Sequence, residues 1–165
     1  MAAAVQNASS WQVAVANSVF LIVMAVAASA DFQARIIPYR VTAAGALLAA
    51  AAYIWQSSAG IEVYSVWFWA LGGLFLFGGF AAFGWFGLGD ALLIGMMGLW
   101  LGPLLTVAVV VAIIAGALEH VADRLITKQP MKDRQKPFVP ALFVGAIVAV
   151  SVGWPAIDLY VSMGQ

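Results

Sequence analysis

The chain has no cysteine, a single histidine and very little charge. Without cysteine there can be no disulfide, thiolate zinc site, iron–sulfur cluster or cysteine nucleophile. One histidine, His120, also rules out a multi-histidine metal site. Charged residues make up 8% of the 165 positions, whereas soluble domains carry about 25%. That is too few to cover a surface facing water. The net charge is zero, so nothing directs the chain to nucleic acid. What it does have is apolar: 65% of the residues are hydrophobic. These figures predict an all-α integral membrane protein, one polytopic domain over residues 1–165, with the lipid bilayer as its surroundings.

A helix needs about 20 apolar residues to cross a bilayer. Six stretches qualify or nearly so: 11–30, 41–56, 63–83, 86–101, 104–121 and 138–160. From Val63 to Leu118 the only charge is Asp90. The part of that run up to Leu101 is about twice the length of one span, so the chain must turn inside it, and Gly84 and Gly87 are the predicted turn. Gly102-Pro103 predicts a second. Ala28-Ser29-Ala30 looks like a signal-peptidase site, but residues 1–10 hold no Lys or Arg, so the first stretch is expected to remain as a span.

All seven Lys and Arg fall in two places. Arg35 and Arg40 lie between the first two spans. Arg124, Lys128, Lys132, Arg134 and Lys136 lie between the last two. In a six-span chain both loops face one side, and the positive-inside rule makes that side cytoplasmic. Both termini, Glu62 and Asp158 are then outside. Trp11, Trp55, Trp67, Trp69, Trp100 and Trp154 fall near outer ends and are read as interfacial anchors.

Asp31 ends the first span and Asp90 begins the fourth, so both are expected at the cytoplasmic end. A carboxylate is costly in hydrocarbon, and those that occur there usually face the bundle interior and have a function. Two at one depth on different helices suggest acid/base hydrolysis by a pair that shares a proton and titrates as a unit. A small proton-linked transporter or channel subunit would also use such residues, although its sites tend to lie near the midplane between internal repeats. No repeat is evident here.

Three motifs carry a resemblance. The first is Asp31 followed seven positions later by Pro38, within a basic loop and after Ile37. The second is Gly87-Leu88-Gly89-Asp90-Ala91-Leu92-Leu93. The third is Lys136-Pro137-Phe138-Val139-Pro140-Ala141. In order and spacing these resemble the prepilin peptidases, intramembrane aspartyl proteases of the Gly-x-Gly-Asp type. The resemblance implies Asp31 and Asp90 as the catalytic dyad, with Gly87, Gly89, Ile37, Pro38, Pro137 and Pro140 as supporting positions. It implies removal of the short basic leader from type IV prepilin or pseudopilin precursors, no cofactor, and a place in the bacterial inner membrane with both termini periplasmic. Two residues depart from the family's pattern. Tyr39 stands where Asn usually follows the proline, and Leu92 stands where Lys usually comes two after the second aspartate. The Gly-Leu-Gly-Asp-apolar run is also similar to presenilin-like proteases, whereas the Ile37-Pro38 loop and compact length favour the prepilin type. The chain lacks the added cytoplasmic region, often with paired cysteines, that larger family members link to methyl transfer. It resembles the small peptidases of tight-adherence pilus systems.

The remaining polar residues are expected to be structural. Glu119, His120 and Asp123 form an interfacial end of the fifth span. Asn17, Ser18 and Ser151 are expected as interhelical hydrogen-bond donors. Ala91-x-x-x-Gly95 and Gly98-x-x-x-Gly102 predict a small-residue packing face, and Gly87 and Gly89 are expected to admit a neighbouring helix beside Asp90.

Overall fold

The computed structural model describes residues 2–58, 66–84, 86–127 and 137–163. They form six α-helices: α1 (Ala2–Ala34), α2 (Tyr39–Ser58), α3 (Val66–Ala82), α4 (Leu88–Leu101), α5 (Leu105–Thr127) and α6 (Val139–Met163). Each coincides with one of the six apolar stretches. Two stretches, Trp11–Ala34 and Leu88–Asp123, are long and apolar enough to cross a membrane, and Val66–Ala82 and Val139–Val152 are shorter apolar helices. The segment Lys128–Lys136, Glu62, and the side chains of Arg124, Trp154 and Asp158 lie outside what is described.

Both glycine turns form where the sequence predicts them. Gly84 has φ +76° and donates its N–H to the Ala81 carbonyl at 2.9 Å, closing α3. Gly102 has φ +53° and opens a 3-10 turn, Gly102–Leu104, between α4 and α5. Only glycine enters that backbone region without strain. Pro103 sits early in the turn, where a missing N–H costs nothing.

The helices alternate in direction. Gly98 on α4 lies against Ala70 on α3, while Gly73 lies against Ile94. Gly145 on α6 lies against Ala108 on α5, while Gly116 faces Phe138. At one end of the α1–α2 pair the rings of Trp11 and Trp55 meet at 5.2 Å. The end of α1 and the start of α2 form the other. Hence α1, α3 and α5 finish at the same end of the bundle from which α2, α4 and α6 depart.

The core is built around α4. Ala91, Leu93, Ile94, Gly95, Met96, Met97, Gly98 and Leu101 of this helix are all buried. A helix that is apolar all round belongs in the middle of a bundle. Phe20 and Met24 of α1 and Leu142 of α6 are fully buried with it. The outer surface is apolar as well: Leu47 and Phe68 are each 73% exposed and Phe75 74%. Apolar exposure on this scale marks a surface that does not face water. The protein is an all-helical membrane protein.

Several details differ from expectation. Trp100 is not simply an anchor. It is half-buried, its ring stacks on Phe20 at 5.7 Å, and its Nε1–H donates to the Gly45 carbonyl at 3.0 Å. Ser18 donates to the Ala14 carbonyl of its own helix at 2.8 Å, because a hydroxyl one turn along has that acceptor within reach. Ser151 is exposed. Helix α5 continues to Thr127, so the polar segment expected from Asp123 begins as helix.

Candidate active site

Asp31 lies in the last turn of α1. The helix ends because Arg35 takes a positive φ of 53°, while its N–H still reaches the Asp31 carbonyl at 2.8 Å. A non-glycine residue in this conformation costs about 1–2 kcal/mol. It redirects the chain, and Ile36-Ile37-Pro38 cross the end of the bundle before α2 starts. The Pro38 carbonyl accepts from Val41 N–H at 2.9 Å, opening α2.

The Asp31 side chain is buried, 6% exposed. Its Oδ2 accepts a hydrogen bond from the Val139 N–H at 3.1 Å. Val139 is the first residue of α6, and the first N–H groups of a helix have no partner within it. Asp31 supplies one from another helix. Pro140 follows and brings no N–H of its own, which is tolerated in a first turn. Leu142 N–H then bonds to the Phe138 carbonyl at 3.2 Å. Pro137-Phe138-Val139-Pro140 therefore aims one specific backbone donor at Asp31.

Asp90 is the third residue of α4 and is half-buried. Its Oδ2 accepts from the Gly87 N–H at 3.1 Å, the reach-back half of a capping box. Gly87 is in extended conformation with φ −75°. Gly89 serves a different partner from the expected neighbouring helix. A Cβ placed there would lie 3.3 Å from the Ile37 Cβ, so the residue that admits close approach faces the α1–α2 loop. The first and second motifs touch at this point.

The two carboxyl groups lie at the same end of the bundle, where the Ile37 side chain of the α1–α2 loop meets Gly89 beside Asp90. Each has one oxygen bound to a backbone N–H, which fixes its side chain. Phe86 secures the surrounding helix ends. Its ring is 5.4 Å from Phe77 at the end of α3 and 5.4 Å from Phe138 at the start of α6. Beside it is a cavity of about 330 Å³ lined by Glu119, His120 and Gly116 of α5 together with Phe138. Among the described residues no group of three or more His, Cys, Asp or Glu is arranged to hold a metal ion.

The structure thus gathers Asp31, Asp90, Ile37, Gly87, Gly89 and the Pro137–Pro140 segment at one end. Two contributors carry no signal of their own in the sequence. A backbone donor such as the Val139 N–H carries no side-chain signal. Phe86 looks like any apolar residue until its ring is seen to meet those of Phe77 and Phe138.

No curated protein and no solved structure matches the chain. A family model does match: the type IV leader peptidase family, over residues 18–120. The matched region holds both aspartates, the Ile37-Pro38 loop and Gly87-x-Gly89, and it stops short of Pro137 and Pro140. It covers more than half of the chain and runs from α1 through most of α5. With both motif-bearing turns inside it, this helical membrane protein belongs to the type IV leader peptidase family.

Proposed function

We propose that the protein is an intramembrane aspartyl endopeptidase that removes the leader from type IV prepilin or pseudopilin precursors at the cytoplasmic membrane face. The supporting observation is that Asp31 and Asp90 stand on separate helices at one end of the bundle, where the α1–α2 loop meets the start of α4 through Ile37 and Gly89. In this reading the pair holds one proton. The ionised carboxyl takes a proton from water as its oxygen attacks the scissile carbonyl, and the protonated carboxyl donates to the carbonyl oxygen. Collapse of the tetrahedral intermediate breaks the C–N bond: the departing amine takes the proton that the first carboxyl drew from water, and a hydroxyl of the intermediate returns a proton to the second carboxyl, which restores the pair. With one oxygen of each carboxyl bound to Val139 N–H or Gly87 N–H, the other is the one that meets water and substrate. Co-expression with cognate precursors tests the proposal. Cleavage at the leader junction is the expected result, and several precursors all left intact would refute it. The transporter reading is weaker because both carboxyls sit at helix ends, away from the midplane where transport sites tend to lie.

The same reading places both termini in the periplasm and residues 123–137 in the cytoplasm, on the strength of the basic loops. The absence of native cysteine makes labelling clean. In intact cells an impermeant thiol reagent is expected to label Gln165→Cys and to spare Gln129→Cys. The reverse pattern would overturn the topology.

The reaction is expected to need only water and the two aspartates, without methylation of the new amino terminus. The loop from Asp31 to α2 is short, and the chain has no cysteine pair and no glycine-rich strand–turn–helix motif for a nucleotide-like cofactor. Purified enzyme with precursor and S-adenosylmethionine should yield an unmethylated product by mass spectrometry. A product heavier by one methyl group would refute the single-activity reading.

A further inference from the structure

The segment that joins α1 to α2 turns one side chain inward. From Phe32 to Arg40 every residue is exposed except Ile37, which is half-buried and packs against the core. Its neighbour Ile36 is 68% exposed. The space that Ile37 enters lies beside Gly89. A Cβ on Gly89 would meet Ile37 Cβ at 3.3 Å, Cδ1 at 3.5 Å and Cγ1 at 3.7 Å. The isoleucine thus occupies the room that a side chain at position 89 would need.

Each partner of this contact belongs to a unit that carries one carboxyl group. On one side, the Arg35 N–H donates to the Asp31 carbonyl at 2.8 Å, which ties the start of the loop to the last turn of α1. On the other, the Asp90 and Ala91 N–H groups donate to the Gly87 carbonyl at 3.1 and 3.3 Å, and the Gly87 N–H donates to Asp90 Oδ2 at 3.1 Å. That closed turn moves as one piece, so what bears on Gly89 bears on Asp90. Helix α1 packs chiefly along α6 and α2. Ile37 supplies a tie from its Asp31 end to the first turn of α4. The tie works by volume, because close-packed side chains are barely compressible and pass displacement on.

We infer that Ile37 is a positioning residue: by filling the space that Gly89 leaves open, its side chain sets the separation between the end of α1 that carries Asp31 and the start of α4 that carries Asp90. The inference rests on the peptidase reading above and deepens it. Its test has one arm that reads cleavage and one that does not.

In leader cleavage, Ile37→Ala is expected to lower kcat at least about tenfold, since a misplacement of about 1 Å can cost about 10²-fold. KM should stay within about threefold, as when the chemical step is slowed and binding is untouched. Ile36→Ala, next in the chain but exposed, should match wild type. Gly89→Ala overfills the space and is also expected to slow cleavage. Adding Ile37→Ala to Gly89→Ala should recover part of that loss, because alanine sheds Cγ1 and Cδ1, two of the three atoms that the new methyl meets. A mere loop anchor would lower the melting temperature of Ile37→Ala and leave kcat of the folded protein unchanged. That result would overturn the inference, as would a double variant no faster than Gly89→Ala.

The second arm uses spin labels on Phe32→Cys and Leu88→Cys, both exposed sites, one beside Asp31 and the other two residues before Asp90. Pulsed electron paramagnetic resonance then reads the distance between the two helix ends without substrate. A single narrow distribution is expected with Ile37 in place and with Ile36→Ala, and a broadened or displaced one with Ile37→Ala. An identical distribution in Ile37→Ala would overturn the inference. If wild type cuts no precursor, the peptidase reading fails, and the distance measurement alone decides whether Ile37 sets the separation of the two ends. If Ile37→Ala cleaves at the full rate, the peptidase stands and the positioning role falls.

Discussion

Asp31→Asn and Asp90→Asn are each expected to abolish leader cleavage, with the protein still inserted in the membrane. Asparagine keeps the shape of the side chain and an oxygen that can accept from the Val139 or Gly87 N–H, so the helix ends stay in place. It cannot take up a proton from water or donate one as a carboxyl does. General acid–base participation contributes about 10²–10⁴-fold, and here one group would have to do the work of two in a single step. The double variant should be no worse than either single variant, because members of a catalytic unit are not additive. The measurement is precursor processing by electrophoretic shift, with the membrane fraction as the control for folding. Near-normal processing by either single variant would sink the dyad assignment.

The second large effect is on stability. Gly98→Ala and Gly145→Ala are each expected to weaken the fold by about 3 kcal/mol, the upper end of the usual range for overpacking. A Cβ at Gly98 would lie 2.6 Å from both the Cα and N of Ala70. A Cβ at Gly145 would overlap the Ala108 carbonyl oxygen. In both cases the opposing atoms are backbone of another helix, so no side-chain rotation relieves the clash and the α3–α4 or α5–α6 pair must separate. Gly78 and Gly79 serve as controls, since a Cβ there meets nothing within 4 Å. Alanine at either should be neutral or stabilise by about 0.5–1 kcal/mol, as glycine is a poor residue in a helix. Thermal unfolding in detergent distinguishes the two classes. Equal melting temperatures for all four variants would show that the helix contacts at Gly98 and Gly145 are not as close as described.

The helices and turns were legible in the sequence because the physical signals were strong. Apolar stretches long enough to span, glycines at the α3–α4 and α4–α5 reversals and no charge from Val63 to Leu118 except Asp90 leave few alternatives to a helical membrane protein. Asp31 and Asp90 stood out for the same reason: against so apolar a background, each carboxylate demands an explanation. The small-residue face was legible too, and Gly95 and Gly98 do pack against α3. What stayed hidden was set by direction rather than composition. Gly89 was expected to face a helix, and it faces Ile37 in a loop. Trp100 was expected to anchor at an interface, and its N–H turns inward to Gly45. Ser18 was expected to reach a neighbour, and it bonds to its own helix. Periodicity tells which residues are apolar. It does not tell which neighbour a given face will meet.

The hydrogen bond from Val139 to Asp31 links residues 108 positions apart in the chain. During synthesis Asp31 and Asp90 both emerge well before α6 exists. Until that last helix is in place, the Asp31 carboxyl has no Val139 N–H to hold it, and Phe86 has no Phe138 ring beside it. The order in which the chain is made thus delays completion of the site until the final span has joined the bundle, so a partly synthesised chain carries both aspartates without the support that positions them.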